Sequence, residues 1–271
     1  MGGGGVFTAA VTLLLGLFAG TAVAFANPRP LSSAIPTHSY RFPQLRPRFG
    51  PNMLLDKVPM LKRADLVLAS GSPRRVEILN DLLGLDVRVV ASTFEENLDK
   101  SKYTPKQYVQ ENARLKALEV WERLIAAGEA PDLVIGGDTV VAHKGAILEK
   151  PKDTAHATEM LKSLSGTSHT VFSGVALIFR APDSEQVIEE TFCEATEVTF
   201  ATLSDASIQA YVQSGEPMDK AGSYGIQAAG GQFVSGIAGC FYNVMGFPMH
   251  AFCVRMAALI DEKKMSLARA S

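Results

Sequence analysis

Arg74 and Arg75 follow directly on a Ser-Pro pair in the segment Ala69-Ser-Gly-Ser-Pro-Arg-Arg75. Ahead of them, residues 65–70 read as a short buried strand. Behind them Val76, Leu79, Leu82 and Leu83 carry an apolar helical pattern. The unit is therefore strand-turn-helix, with Ser72 as N-cap and Pro73 at the first helical position. Two cations in a first turn oppose the positive end of the helix dipole, at a cost of roughly 0.3–1 kcal/mol each. A bound phosphate reverses that sign, because it can take backbone N–H groups, the Ser70 and Ser72 hydroxyls and both guanidinium forks. The plainer alternative is a pair of solvated arginines on a surface turn. The preceding strand and the two serines favour the phosphate site.

A carboxylate of matching use stands in Ile135-Gly-Gly-Asp-Thr-Val140. Residues 132–136 and 139–142 read as two strands, which puts Asp138 at a strand end, the edge where open α/β sheets bind ligands. There it can hold a divalent cation or take a proton from an attacking water. An Asx turn joining two strands is an equally good reading of the same residues. Glu95 and Glu96, on a polar loop that also carries Asp99, offer further hard oxygen ligands. Lys116 on a long helix and Lys150 in a short loop are candidate phosphate contacts, although each alone is more simply a solvated lysine. His169 at a strand start reads as structural. In the glycine-dense run 215–239, the Gln227 amide can donate to and accept from the O4 and N3 positions of uracil or thymine.

The elements needed to bring these residues together follow from hydrophobic periodicity. A valine-rich stretch at 85–91 suits a second strand. Val109, Ala113, Ala117, Val120 and Leu124 make one stripe of a helix over 105–127, closed by Gly128. Asp153 or Thr154 caps a helix ending at Gly166, and Ser204 caps another that carries Ile208, Tyr211 and Val212. Two long strands, 170–179 and 187–200, form an antiparallel pair, and an apolar helix over 247–260 ends the fold. Interleaved helices and strands define an α/β class, and the paired strands make the sheet mixed rather than purely parallel.

Composition excludes several classes of protein. With 20% charged residues, 47% apolar ones and a net charge of -2, the chain of 271 residues is globular, and no bulk attraction to a nucleic-acid polymer is expected. Three scattered cysteines suggest neither a zinc site nor a disulfide framework. The first 55 residues stand apart, since Arg29 is the first basic residue and Asp56 the first acidic one. Residues 1–26 have the apolar run and small-x-small ending of a signal peptide. Residues 27–60 read as a transit peptide or linker, 61–264 as the functional domain and 265–271 as a tail. Such a leader points to a plastid. A mispredicted start, with the protein beginning at Met53 or Met60 in the cytoplasm, is the alternative, as is a secretory destination. No membrane association is expected of the mature form.

Read in order, Ala69-Ser-Gly-Ser-Pro-Arg-Arg75, Gly136-Gly-Asp-Thr-Val-Val141, Leu148-Glu-Lys-Pro151, Leu164-Ser-Gly-Thr-Ser-His169, Glu216-Pro-Met-Asp-Lys-Ala-Gly222 and Tyr224-Gly-Ile-Gln227 resemble the signatures of the Maf family of nucleotide pyrophosphatases. The resemblance covers residues 65–259. It implies an elongated, two-lobed Maf/ITPase-like fold, a mixed twisted sheet flanked by helices with a central cleft, and a homodimer. It implies hydrolysis of dTTP and UTP to the monophosphate and pyrophosphate with Mg²⁺ or Mn²⁺, a house-cleaning role in nucleotide metabolism. Asp138 is then the proton acceptor, Glu96 and Asp138 the metal ligands, and Ser70, Arg75, Lys116 and Lys150 the groups around the phosphates. Arg74, Thr139 and Gln227 mark the pyrimidine branch, since the branch resembling 7-methyl-GTP pyrophosphatases has Gln and Glu where this chain has Thr139 and Gln227. A purine triphosphatase, and a non-catalytic nucleotide-binding regulator of septum formation, are the competing readings.

Overall fold

The computed structural model describes residues 53–265 and 267, and all of these belong to one unit of the chain. The elements in order are α1 (Val58–Leu61), β1 (Leu66–Leu68), α2 (Pro73–Val76), β2 (Arg88–Val89), α3 (Pro105–Ala126), β3 (Leu133–His143), β4 (Ala146–Leu148), α4 (Thr154–Leu164), β5 (Ser168–Arg180), β6 (Val187–Phe200), α5 (Asp205–Gln213), β7 (Val234–Ala238), α6 (Phe241–Met245) and α7 (Met249–Asp261). The strands form a mixed sheet in the order β2-β1-β3-β5-β6-β7, with β4 folded back on β3. β1 runs parallel to β2 and β3, and every other pairing is antiparallel. This is the mixed α/β architecture that the sequence pattern implies.

Strand alternation divides the core into two layers. Leu66, Leu68, Leu133 and Ile135 join the larger cluster with Leu161, Phe179 and Phe252, whereas Val67 and Val134 face the other way onto Ala113, Ala117 and Val120 of α3. The stripe expected on α3 is buried along its whole length. Its start is fixed by a capping box, in which Thr104 Oγ1 accepts from the Gln107 N–H at 3.3 Å and Gln107 Oε1 accepts from the Thr104 N–H at 3.0 Å.

Several expectations are corrected. The segment 132–142 is not two strands but the single strand β3, so Asp138 stands mid-strand and no Asx turn exists there. Gly136 and Gly137 signal close packing rather than a turn. The turn that the sequence signals at Lys144-Gly145 is there, and φ values of 48° and 81° suit a tight hairpin between β3 and β4. The helix after Arg75 changes from α to π geometry over Glu77–Leu82. The wider turn shifts the phase of the apolar stripe, and Leu82 is left 49% exposed. The strand expected over 85–91 pairs only at Arg88–Val89. The edge strand β7 and the short helix α6 carry too little periodicity to be read from sequence. Residues 1–26 lie outside the described residues, as do 27–52. Leu54, inside the stretch set aside as leader or linker, is buried in the larger core cluster, and Lys57 bonds Asp261 of α7 at 3.0 Å. None of the described helices is long and apolar enough to cross a membrane.

What brings α3 down onto the sheet is the absence of side chains beneath it. A Cβ on Gly136 would lie 2.1 Å from the Ala113 carbonyl oxygen, and one on Gly174, the partner of Asp138 across β3 and β5, would lie 2.3 Å from that of Val109. Both obstacles are helix backbone, which cannot step aside locally. Gly136→Ala is therefore expected to lower unfolding free energy by about 1–3 kcal/mol, the usual scale of overpacking. Denaturant titration measures it, and unchanged stability would show that the helix is free to lift.

Candidate active site

The cavity exists because β1 stops short. Its last rung is the Ala69 N–H donating to the Ile135 carbonyl at 2.8 Å, and from there to Val141, where β4 begins to pair, that side of β3 carries no strand. Into the opening fold residues 69–75, the loop carrying Glu96, and residues 219–227. Together they enclose a cavity of about 660 Å³. Ser70, Ser72, Arg74, Arg75, Glu96, Lys116, Asp138, Thr139, Lys150 and Gln227 all line one chamber. Glu95 is not among the lining residues.

Arg75 is the deepest of the cations. Its Nε donates to the Gly246 carbonyl at 3.1 Å, one terminal nitrogen to Ser70 Oγ at 2.7 Å and the other to Thr139 Oγ1 at 3.2 Å. All three acceptors are neutral. Burial opposes its charge, and the fields of Asp138 and Glu96 partly restore it. A guanidinium has five N–H donors, so some stay available to a ligand. Ser70 Oγ accepts from both Arg75 and the Ser72 N–H, the latter at 3.3 Å, which leaves its own hydrogen to donate. Ser72 occupies the N-cap position of α2, yet its hydroxyl makes no capping bond. Arg74 is braced by Asp219, through the carboxylate at 2.9 Å and the backbone carbonyl at 3.2 Å. Burial pushes the Asp219 carboxyl up, but hydrogen bonds from Lys220 and Arg74 outweigh it and hold the group at about 2.

Asp138 is the buried carboxylate of the chamber. Oδ1 accepts from Lys116 Nζ at 2.9 Å, Oδ2 from the Asn112 amide at 3.3 Å, and the same ammonium bonds Glu96 at 2.8 Å. Burial is the dominant influence on Asp138 and raises its pKa, against the pull of Lys116. A raised pKa makes a carboxylate a stronger base than a solvated one. Asn112 and Lys116 sit one helical turn apart on α3, a spacing that could have revealed Asn112 from sequence. Asp219 and Gly246 gave no such signal, because they act through a side chain and a carbonyl presented from remote loops.

The pair Glu96 and Asp138 is the donor set open to a divalent cation. Among the described residues no group of three or more His, Cys, Asp or Glu side chains gathers as a metal site.

His169 lies under the chamber rather than in it. Its Nε2 pairs with the Tyr224 hydroxyl at 2.8 Å and its ring packs edge-on to Phe200 and Tyr224.

Chamber and fold together define an α/β protein with a buried guanidinium and a buried carboxylate lining one cavity. The family model described as Maf-like protein matches residues 65–259, and the chain belongs to that family. A human "Probable bifunctional dTTP/UTP pyrophosphatase/methyltransferase protein" is 50% identical over 198 residues, 72% of this chain but 32% of its own length. A Clostridium perfringens dTTP/UTP pyrophosphatase is 49% identical over 68% of this chain and 92% of its own. One from Vibrio cholerae is 46% identical with the same coverage. The solved structure of the Staphylococcus aureus Ham1 protein aligns with 74% of the chain at 13% identity and a TM-score of 0.34, too loosely to bear on the argument.

Burial, reinforced by His143, lowers the His169 pKa to about 4 from the ordinary 6.5. The folded protein therefore resists a proton that the unfolded chain accepts. This stability is fully present above pH 6.5 and drains as pH falls toward 4, by roughly 3 kcal/mol in all. Urea melts across that window are expected to show the slope in the natural protein and a reduced one in His169→Gln. Equal slopes would assign the acid sensitivity elsewhere.

Proposed function

We propose that the chain is a nucleoside triphosphate pyrophosphatase that converts dTTP and UTP to the monophosphate and pyrophosphate. The observation that carries this reading is the juxtaposition of a buried guanidinium held only by neutral acceptors with a buried, basic carboxylate in one chamber. The first calls for a polyanion and the second for a proton. The names of the relatives from Clostridium perfringens and Vibrio cholerae, at 49% and 46% identity, support the nucleotide choice.

In this mechanism a water oxygen attacks the phosphorus nearest the nucleoside while Asp138 takes its proton. A new P–O bond forms, the bond to the bridging oxygen breaks, and pyrophosphate leaves with both electrons. Arg75, Lys150 and the Ser70 hydroxyl neutralise the charge that grows on the leaving group. Lys116 keeps Asp138 and Glu96 in place between turnovers. Glu96 and Asp138 would hold a divalent cation, which supplies charge neutralisation along the phosphates. Gln227 reads the base. Thr139, whose hydroxyl accepts from Arg75 and bonds Ser173 and the Gly246 carbonyl, acts by orienting Arg75 rather than by touching the base.

With UTP and Mg²⁺ the expected products are one UMP and one pyrophosphate per turnover. Asp138→Asn should lower kcat by about 10²–10⁴-fold, the scale of general-base loss, while UTP affinity changes only a few-fold. Orthophosphate as the first product would contradict the cleavage position. Undiminished turnover in the variant would remove Asp138 from the chemistry.

A further inference from the structure

We infer that Glu216, backed by Tyr211, is a positioning residue that fixes where Gln227 stands in the cavity and thereby sets the base preference. The inference rests on the pyrimidine reading above. Gln227 sits exposed on the tip of a loop that lines the chamber, and among the described residues its amide makes no hydrogen bond. The tip's aim is therefore decided by its backbone. A glutamine amide matches the O4 and N3 edge of uracil only from a suitable distance and angle, so discrimination needs a fixed stage.

One carboxylate supplies that stage. Glu216 Oε1 accepts from the Tyr211 hydroxyl at 2.8 Å and from the Gly230 N–H at 3.3 Å, and Oε2 accepts from the Ala229 N–H at 3.2 Å. The Tyr211 hydroxyl in turn accepts from the Gly225 N–H at 3.2 Å. The loop is thus tied at Gly225 on one side of Gln227 and at Ala229 and Gly230 on the other. Close packing holds the loop at its C-terminal side. A Cβ on Gly230 would lie 2.5 Å from the Tyr211 hydroxyl oxygen, and one on Gly231 2.4 Å from the Ile226 carbonyl oxygen. Tyr211 itself is immobilised by burial and by edge-on packing against Phe233 at 4.9 Å. Lys220 Nζ donates to the Glu216 carbonyl at 2.6 Å, which joins the clamp to the Asp219 brace on Arg74.

An ionised carboxylate accepts at both oxygens, whereas a glutamine amide accepts at one and presents donors at the other. Glu216→Gln therefore sets an NH₂ group against a backbone or phenol donor while preserving size. The test compares kcat/KM for UTP and CTP in the natural protein, Glu216→Gln, Gln227→Ala and the double variant. Tyr211→Phe, which removes only the hydroxyl, serves as a second probe of the clamp. Glu216→Gln and Tyr211→Phe are each expected to lower the UTP/CTP ratio about tenfold, the scale of one or two lost hydrogen bonds, through KM more than kcat. In the double variant Glu216→Gln should add nothing to the change made by Gln227→Ala. If Gln227→Ala collapses the ratio while both clamp variants preserve it, the inference fails and the pyrimidine reading stands. If Gln227→Ala preserves the ratio, base reading by Gln227 fails and the inference falls with it. An equal loss of kcat toward both nucleotides in the clamp variants would also overturn it, leaving Glu216 a merely structural role.

Discussion

A guanidinium taken out of water with no carboxylate in contact is the constraint around which this protein is arranged. Among the described residues Arg75 has no ion-pair partner. Its bonds go to a serine, a threonine and a carbonyl. Desolvating a charge costs several kcal/mol unless other groups repay it, and neutral acceptors repay it only in part. The remainder is available to a bound anion. A protein built merely for stability would have set a carboxylate against Arg75, as this one does for Arg74 with Asp219 and for Lys116 with Asp138 and Glu96.

The fold serves that arrangement at each level. β1 ends early, so β3 presents an uncovered stretch on which Asp138 stands. Gly136 and Gly174 admit α3 close enough for Lys116 and Asn112 to reach the carboxylate from above. Gly137 leaves room for the guanidinium, since a Cβ there would lie 3.0 Å from Arg75 Nε. Each glycine is a contact distance rather than a turn. The same interior that raises the Asp138 pKa by burial also lets Lys116 keep the site electrically balanced when no ligand is bound.

Much of this was legible in the chain, and the reasons for the gaps are physical. The stripe on α3 is strictly periodic and capped at both ends, so its extent and buried face could be read directly. Arg74 and Arg75 stood out because they violate helix electrostatics, and Asp138 because it interrupts an apolar run. The strand through Asp138 divides in two when read from sequence because a polar Asp-Thr pair between apolar runs suits an Asx turn, and only the helix packed above explains the glycines beside it. Leu82 departs from the buried stripe because a π turn alters the period without leaving a trace in composition. Asp219, Gly246 and Glu216 carry no signal of their part in the site because it arises from contacts with segments elsewhere in the chain. Gln227 and Glu216 belong to neighbouring motifs, yet part of the bond network that ties the Gln227 loop to Glu216 passes through Tyr211 on α5.

The most direct test of the central claim is a structure of Asp138→Asn with UTP bound, slow enough in turnover to hold the intact nucleotide. The account predicts phosphate oxygens on the remaining Arg75 donors, with residue 138 beside the anhydride that joins the first and second phosphates. A triphosphate lying elsewhere in the chamber, with Arg75 keeping only its present neutral partners, would contradict it.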